Sequence, residues 1–193
     1  MEKRGLNLDV ITRAAVQLLD DVGLAELSTR RLAAKLGVQS PTLYWHVTNK
    51  AQLLDLVAEA ICADAFDVDA TLGWRDQLSS GLRQFRALLL AHRDAAALLR
   101  ERPPTGPHRL AHLETTARIL LEAGFSPDDA AGISRLLSAH MLDSAQAEPC
   151  PAPMANYPNL SRLAPAFGRL SDTDLFELGV TVILDGLEHR LLR

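Results

Sequence analysis

Apolar residues recur at three- and four-residue spacing along nearly the whole chain, the signature of one buried helical face, and period-two alternation is nearly absent. The expected fold class is all-α. A first stripe runs through Ile11, Ala14, Ala15, Leu18, Leu19 and Val22; it starts after Asn7, a capping residue type, and stops at Gly23. Ser28 can cap a second helix that turns Leu32, Ala33 and Leu36 inward and closes at Gly37. Pro41 sits at the opening of a third, very short helix, where its missing N–H costs nothing. A fourth helix is predicted from about Asn49 to Phe66, with Leu53, Leu54, Val57, Ala60 and Ile61 on one side.

From Trp74 the pattern restarts through Leu78, Leu82, Phe85, Leu88 and Leu89 to about His92. The proline-rich run Arg102–Pro107 interrupts it, and another helix is predicted from about His108 to Ala123, stopped by Gly124. Ser126-Pro127-Asp128-Asp129 is a strong helix start: a cap, a proline in the first turn, and two acids on the positive end of the dipole. That helix should reach about Gln146. Four prolines within 147–158 predict an irregular loop, followed by a short helix near Leu160–Arg169. Ser171 opens the last helix, which keeps Leu175, Leu178, Val182, Ile183 and Leu187 in phase almost to Arg193. Gly179 and Gly186 lie seven residues apart within it; close helix approach and chance explain that spacing equally well.

Composition narrows the function. At 193 residues and 48% hydrophobic, the chain can bury a full core in one or two domains. The net charge of −4 does not suggest nucleic acid, but it is unevenly spread. Residues 1–50 carry seven Lys/Arg against five acids, and the remainder 13 against 19, which suits a basic head on an acidic body. The two cysteines, Cys62 and Cys150, have no metal-site spacing, no secretion signal opens the sequence, and no apolar run approaches a membrane span; a cytoplasmic location is expected. No nucleophile-elbow, zincin, P-loop or dinucleotide pattern occurs, so an enzyme is not expected, and neither is a cofactor or metal.

Candidate chemistry concentrates between Thr29 and Lys50. Two helices joined through Gly37-Val38-Gln39-Ser40 fit a helix-turn-helix. At about 100° per residue, Leu43 and Val47 share the inner side of the second helix. Pro41, Thr42, Tyr44 and Trp45 fall on the outer or lateral sides, with Ser40 and His46 at the margins. The presented surface has two large aromatics and no acid. Tyr and His can donate to phosphates, and Thr or Pro can pack on a thymine methyl. Arg30, in the first turn of the preceding helix, is the candidate for a two-bond contact to guanine, and Lys50 for a backbone contact. A lone Trp is more often buried, but two adjacent aromatics cannot both turn inward on a helix that already uses Leu43 and Val47.

The stretch LSTRRLAAKLGV (27–38), then SPTLYWHV (40–47) and Asn49-Lys50, resembles the DNA-binding domain of the TetR family. The resemblance continues more thinly through Leu90–Asp94, Arg102-Pro103, Ala123–Ser126 and Asp185–Glu188. It implies a DNA-binding domain over 1–50, a linking helix over 49–66, and a ligand-binding and dimerisation domain over 67–193. It further implies a repressor that binds double-stranded operator DNA as a homodimer, paired through helices 127–146 and 171–192, and that a small-molecule inducer releases. Family DNA contacts carry over onto Thr29, Arg30, Pro41, Thr42, Tyr44, Trp45, His46 and Lys50. Ser40 stands where the family pattern has a base-reading glutamine, which implies a different operator. An activator, or a member without a small-molecule signal, remains the alternative.

The ligand side departs further. Members that hold a drug–magnesium chelate use histidines at places where this chain has Phe66 and Leu98 or Leu99. Gly81 and Thr116 replace polar contacts, whereas Phe85 is kept and Glu148 matches an acid near the metal. The expectation is a more apolar, metal-free pocket lined by Phe66, Phe85, Leu99, His112, Thr116, His140 and Met141. Each has an ordinary reading as well: the apolar four as plain core, and the two histidines as hydrogen-bonded structural groups.

Overall fold

A computed structural model describes residues 6–63, 67–145 and 156–192. These residues form helices α1 (Leu8–Val22), α2 (Thr29–Leu36), α3 (Ser40–Tyr44), α4 (Lys50–Ile61) and α5 (Trp74–Ala91). They continue as α6 (Ala95–Glu101), α7 (Pro107–Glu122), α8 (Pro127–Ser144), α9 (Pro158–Phe167) and α10 (Asp172–Leu191), with no strand among the described residues.

The helix starts follow capping chemistry. Side chains of Asn7, Ser28, Asn49, Ser126 and Ser171 each accept a bond from a backbone N–H in the first turn that has no partner inside the helix. Gly37 ends α2 in the left-handed conformation, at φ 66°, where a Cβ would be strained.

Two hydrophobic cores result. The first joins α1 to α4 and continues into Leu89 of α5 and Ala95, Ala96, Leu98 and Leu99 of α6. The second is built from α5, α7, α8 and α10 around Leu120, Met141 and Phe176. Phe85 packs against both. Helix α9 contributes no buried residue.

The structure departs from the sequence pattern in several places. Ala95–Glu101, which the periodicity leaves unassigned, forms α6 because Asp94 turns the chain at φ 56°, in the left-handed region. Its carboxylate accepts the Leu24 N–H at 2.9 Å, a tertiary hook that local patterning does not encode. Helix α4 ends at Ile61 rather than near Phe66, which lies outside the described residues. Helix α8 ends at Ser144, and Gln146 is also outside them. Of the loop expected over 147–158, only 156–158 are described, and Pro158 already opens α9. Gly179 is explained inside the chain: a Cβ there would run into the His140 ring of α8, whereas Gly186 faces open space.

Candidate nucleic-acid interface and ligand cavity

Helix α3 is seated by Leu43 and by Val47 just beyond it, each 1% exposed. That anchoring turns the rest of the segment outward. Trp45 is 88% exposed and Tyr44 48%, which overturns burial of the aromatics. Pro41 and Thr42 are exposed as well, and Ser40 and His46 are half-buried. In α2, the Ser28 cap holds Thr29 and Arg30 in the first turn, beside this face. Arg31 pairs with Glu26, and Lys35 with Asp21 at 2.7 Å, so both of those charges are spent within the domain. Arg30 and Lys50 are exposed, and neither joins an ion pair among the described residues. The surface thus offers two uncommitted cations flanking an acid-free aromatic helix, the composition that phosphate and base-edge contacts require.

The N-terminal domain is tied to the body at two places. At the end of α1, Asp20 accepts the Arg93 N–H at 3.1 Å and pairs with His92 at 3.1 Å, next to the Asp94 hook. On α4, Asp55 takes both arms of the Arg102 guanidinium at 2.7 and 2.9 Å, and this bond holds the Arg102 pKa above its usual value. One turn on, the Glu59 carboxylate accepts the N–H groups of His108 and Arg109 and so caps α7. Gly106 leaves the room for it, since a Cβ there would meet the Glu59 carboxylate. Burial lowers the Arg109 pKa, and burial pushes the Cys62 thiol up to about 11, which keeps that cysteine unreactive.

Behind these ties a cavity of about 600 Å³, counting its mouth, opens between α5, α7 and α8. Helix α5 supplies Gln77, Leu78, Gly81, Leu82 and Phe85. Helix α7 supplies His112, Leu113, Thr115, Thr116 and Ile119, and α8 supplies Ser134, Leu137, Ser138 and Met141. His112 stands edge-on to Phe85 at 5.6 Å; burial lowers its pKa, against the pull of the Cys62 backbone, which favours the neutral ring. Among the described residues, no three His, Cys, Asp or Glu side chains gather to hold a metal.

Of the residues expected to line a pocket, Phe85, His112, Thr116 and Met141 do meet there. Leu99 does not: it is buried in the first core, on α6. His140 does not either; it stacks on Phe176 at 5.7 Å and approaches that residue's carbonyl at 3.3 Å. Helical phase marks both as inward, and the chain has two interiors. Gln77, Thr115, Ser134 and Ser138 were missed, because uncharged polar residues beside an apolar stripe look like helix surface.

Comparison with known proteins finds two family descriptions that match the chain. The family description "Bacterial regulatory proteins, tetR family" matches residues 11–57, and "Tetracyclin repressor-like, C-terminal domain" matches residues 69–150. The chain is 36% identical to the tetracycline repressor protein class A from transposon 1721 of Escherichia coli, over 97% of this chain and 93% of that protein. The fold superposes on Streptomyces coelicolor ActR in complex with actinorhodin, with a TM-score of 0.85 and 32% identity, covering 96% of this chain and 98% of that one. It also superposes on a TetR variant from Acinetobacter baumannii in complex with minocycline, with a TM-score of 0.78 and 33% identity, covering 95% and 94%.

Proposed function

The chain belongs to the TetR family of bacterial transcriptional regulators, and from that premise we propose that it is a repressor that grips a palindromic operator as a homodimer and lets go when a small molecule enters the cavity. One observation carries the reading: an acid-free helix holds Trp45 almost wholly in solvent above a sealed core. Nothing in folding requires so large an aromatic outside, and a groove is what it fits.

In this reading α3 enters the major groove. Arg30 takes a guanine edge, Pro41 and Thr42 meet base edges or methyl groups, and Ser40 supplies a single hydrogen bond. Thr29, Tyr44, Trp45, His46 and Lys50 hold the backbone and set the register. Two half-sites about 34–36 Å apart demand two copies. The outer faces of α8 and α10 suit that pairing, because Leu136, Leu175, Leu178 and Val182 are each more than half exposed.

Release runs through the capped end of α7. His112 lines the cavity little more than one turn from the N–H groups that Glu59 holds. A ligand that spreads α5, α7 and α8 therefore displaces α4 through Glu59 and the Asp55–Arg102 pair. For this to work, the ligand must bind the DNA-free geometry better than the DNA-bound one.

Selection from a random pool of duplexes tests the proposal. Enrichment of an inverted repeat with that spacing is expected, and Tyr44→Ala should abolish it without changing the thermal transition. Recovery of no preferred sequence, or of an isolated half-site, would refute it.

A further inference from the structure

The cavity wall has a one-sided hydrogen-bonding character. Thr115 and Thr116 lie 2.9 and 3.1 Å from the carbonyls of Ala111 and His112, one turn back on α7. Ser134 and Ser138 lie 2.8 and 2.9 Å from the carbonyls of Ala130 and Ser134 on α8. A carbonyl only accepts, and a hydroxyl has one hydrogen, so all four hydroxyls spend that hydrogen on their own helix. What remains on each oxygen is lone pairs.

Gln77, 6% exposed, is occupied on both sides of its amide. Its Nε2 donates to the carbonyls of Leu72 and Ala70 at 2.7 and 3.5 Å, and its Oε1 accepts from Arg118 at 3.0 Å. The other arm of Arg118 is on Glu122 at 2.6 Å. No Lys or Arg is among the described residues lining the cavity. His112, as a neutral imidazole, has one N–H and one accepting nitrogen, and the carbonyl side of Cys62 draws on the ring. The rest of the wall is apolar, with Leu82, Phe85, Ile119 and Met141 prominent.

We propose that this cavity selects an uncharged, largely apolar molecule that brings its own hydroxyl donors, and that it rejects the same molecule carrying a carboxylate. The proposal rests on reading the cavity as the sensor site and adds the chemistry of its ligand. A ligand hydroxyl finds an acceptor on α7 or α8 in an apolar surround, where an unmet donor would be costly. A carboxylate must shed its water against lone pairs, with no cation on the wall to offset that loss.

Calorimetric titration of the full chain with three dihydroxyanthraquinones tests this. The three share a ring system and carry a methyl, a hydroxymethyl or a carboxylate at the same position. The hydroxymethyl compound should bind tightest, and the carboxylate roughly tenfold or more weaker than it. In the doubly substituted Thr116→Val, Ser138→Ala protein, the preference for hydroxymethyl over methyl should vanish while the methyl compound still binds. Ser138→Ala alone, a milder change, should shrink the preference in the same direction. Carboxylate binding equal to or tighter than hydroxymethyl overturns the proposal, as does binding of none of the three. Displacement from DNA is read separately. The predicted order without displacement upholds the ligand chemistry and sinks the sensor reading.

Discussion

The first four helices and the five-helix body (α5, α7, α8, α9 and α10) solve different packing problems. In α1 to α3 each helix has one inward stripe and, apart from the Asp20 tie to the body, the rest faces solvent, so a residue's phase determines its role. In the body, α5 and α8 must serve a core, a cavity and an exposed apolar face at once. Leu78 and Leu82 of α5 are at the same time core residues and cavity wall. Leu137 of α8 lines the cavity while Leu136 next to it is half exposed. A substitution on a face with a single duty therefore reads out one property, whereas a substitution at Leu78, Leu82 or Leu137 alters core and cavity together.

Leu43 and Trp45 give the sharpest break between stability and function. Leu43 is sealed, so Leu43→Ala should cost about 2–5 kcal/mol of stability in chemical denaturation. Trp45, two residues on, touches little, and Trp45→Ala should leave stability within about 0.5 kcal/mol while weakening operator binding. A stability loss at Trp45 comparable to that at Leu43 would mean the aromatic is structural after all.

The body's counterpart is Gly179. Its Cβ would enter the space of the His140 ring, which is itself stacked on Phe176, so neither neighbour has free room to yield. Gly179→Ala should therefore destabilise by about 1–3 kcal/mol, the range for overpacking. Gly186→Ala meets no atom of its own chain and should gain up to about 1 kcal/mol from helix propensity in a monomer, but it shares the outward stripe of Leu178 and Val182, so in the proposed dimer that gain should be lost. Parallel thermal melts of the two variants decide it, and equal shifts would remove the distinction between the two glycines.

These cases mark what could be read from sequence. Caps at Asn7, Ser28, Ser126 and Ser171 are local chemistry, and the helix starts they set appear where the residue types put them. The orientation of α3 was legible for the same reason: phase about one axis decides it. Helix α6 was not, because its start depends on Asp94 reaching Leu24, seventy positions away. The destinations of Leu99 and His140 were not either. Periodicity says that a side chain turns inward, but only the packing of distant helices says toward which interior.

Within the DNA-binding domain the comparison is finer. Arg30 is uncommitted, and its neighbour Arg31 is held by Glu26. Arg30→Ala should cost about 1–3 kcal/mol of binding to the selected operator and relax one base position. Arg31→Ala should cost less, and evenly across sequences. Binding measured on single-base variants of the operator separates the two outcomes; an even loss for Arg30 would reassign it to the phosphate backbone.

The smallest effect belongs to the cavity and appears against pH. His112 has its pKa lowered from 6.5 by burial, ahead of the opposing pull of the Cys62 backbone and Glu59 and the repulsion of His108 and Arg109. As pH falls below about 6.5, the unfolded chain takes up this proton while the folded chain does not, so stability declines. The decline levels off once pH passes below the folded value, where both states are protonated. Carboxylates act in a different window. Asp129, held below its usual 3.8 by Arg190, adds stability that is lost only as pH falls through that lower range. Denaturation midpoints at about pH 7.5 and about pH 5.5 therefore isolate the histidine contribution. His112→Gln should flatten the slope between them, and cavity ligand at saturation should steepen it if the ligand binds the neutral ring. An unchanged slope in His112→Gln would place the titration elsewhere.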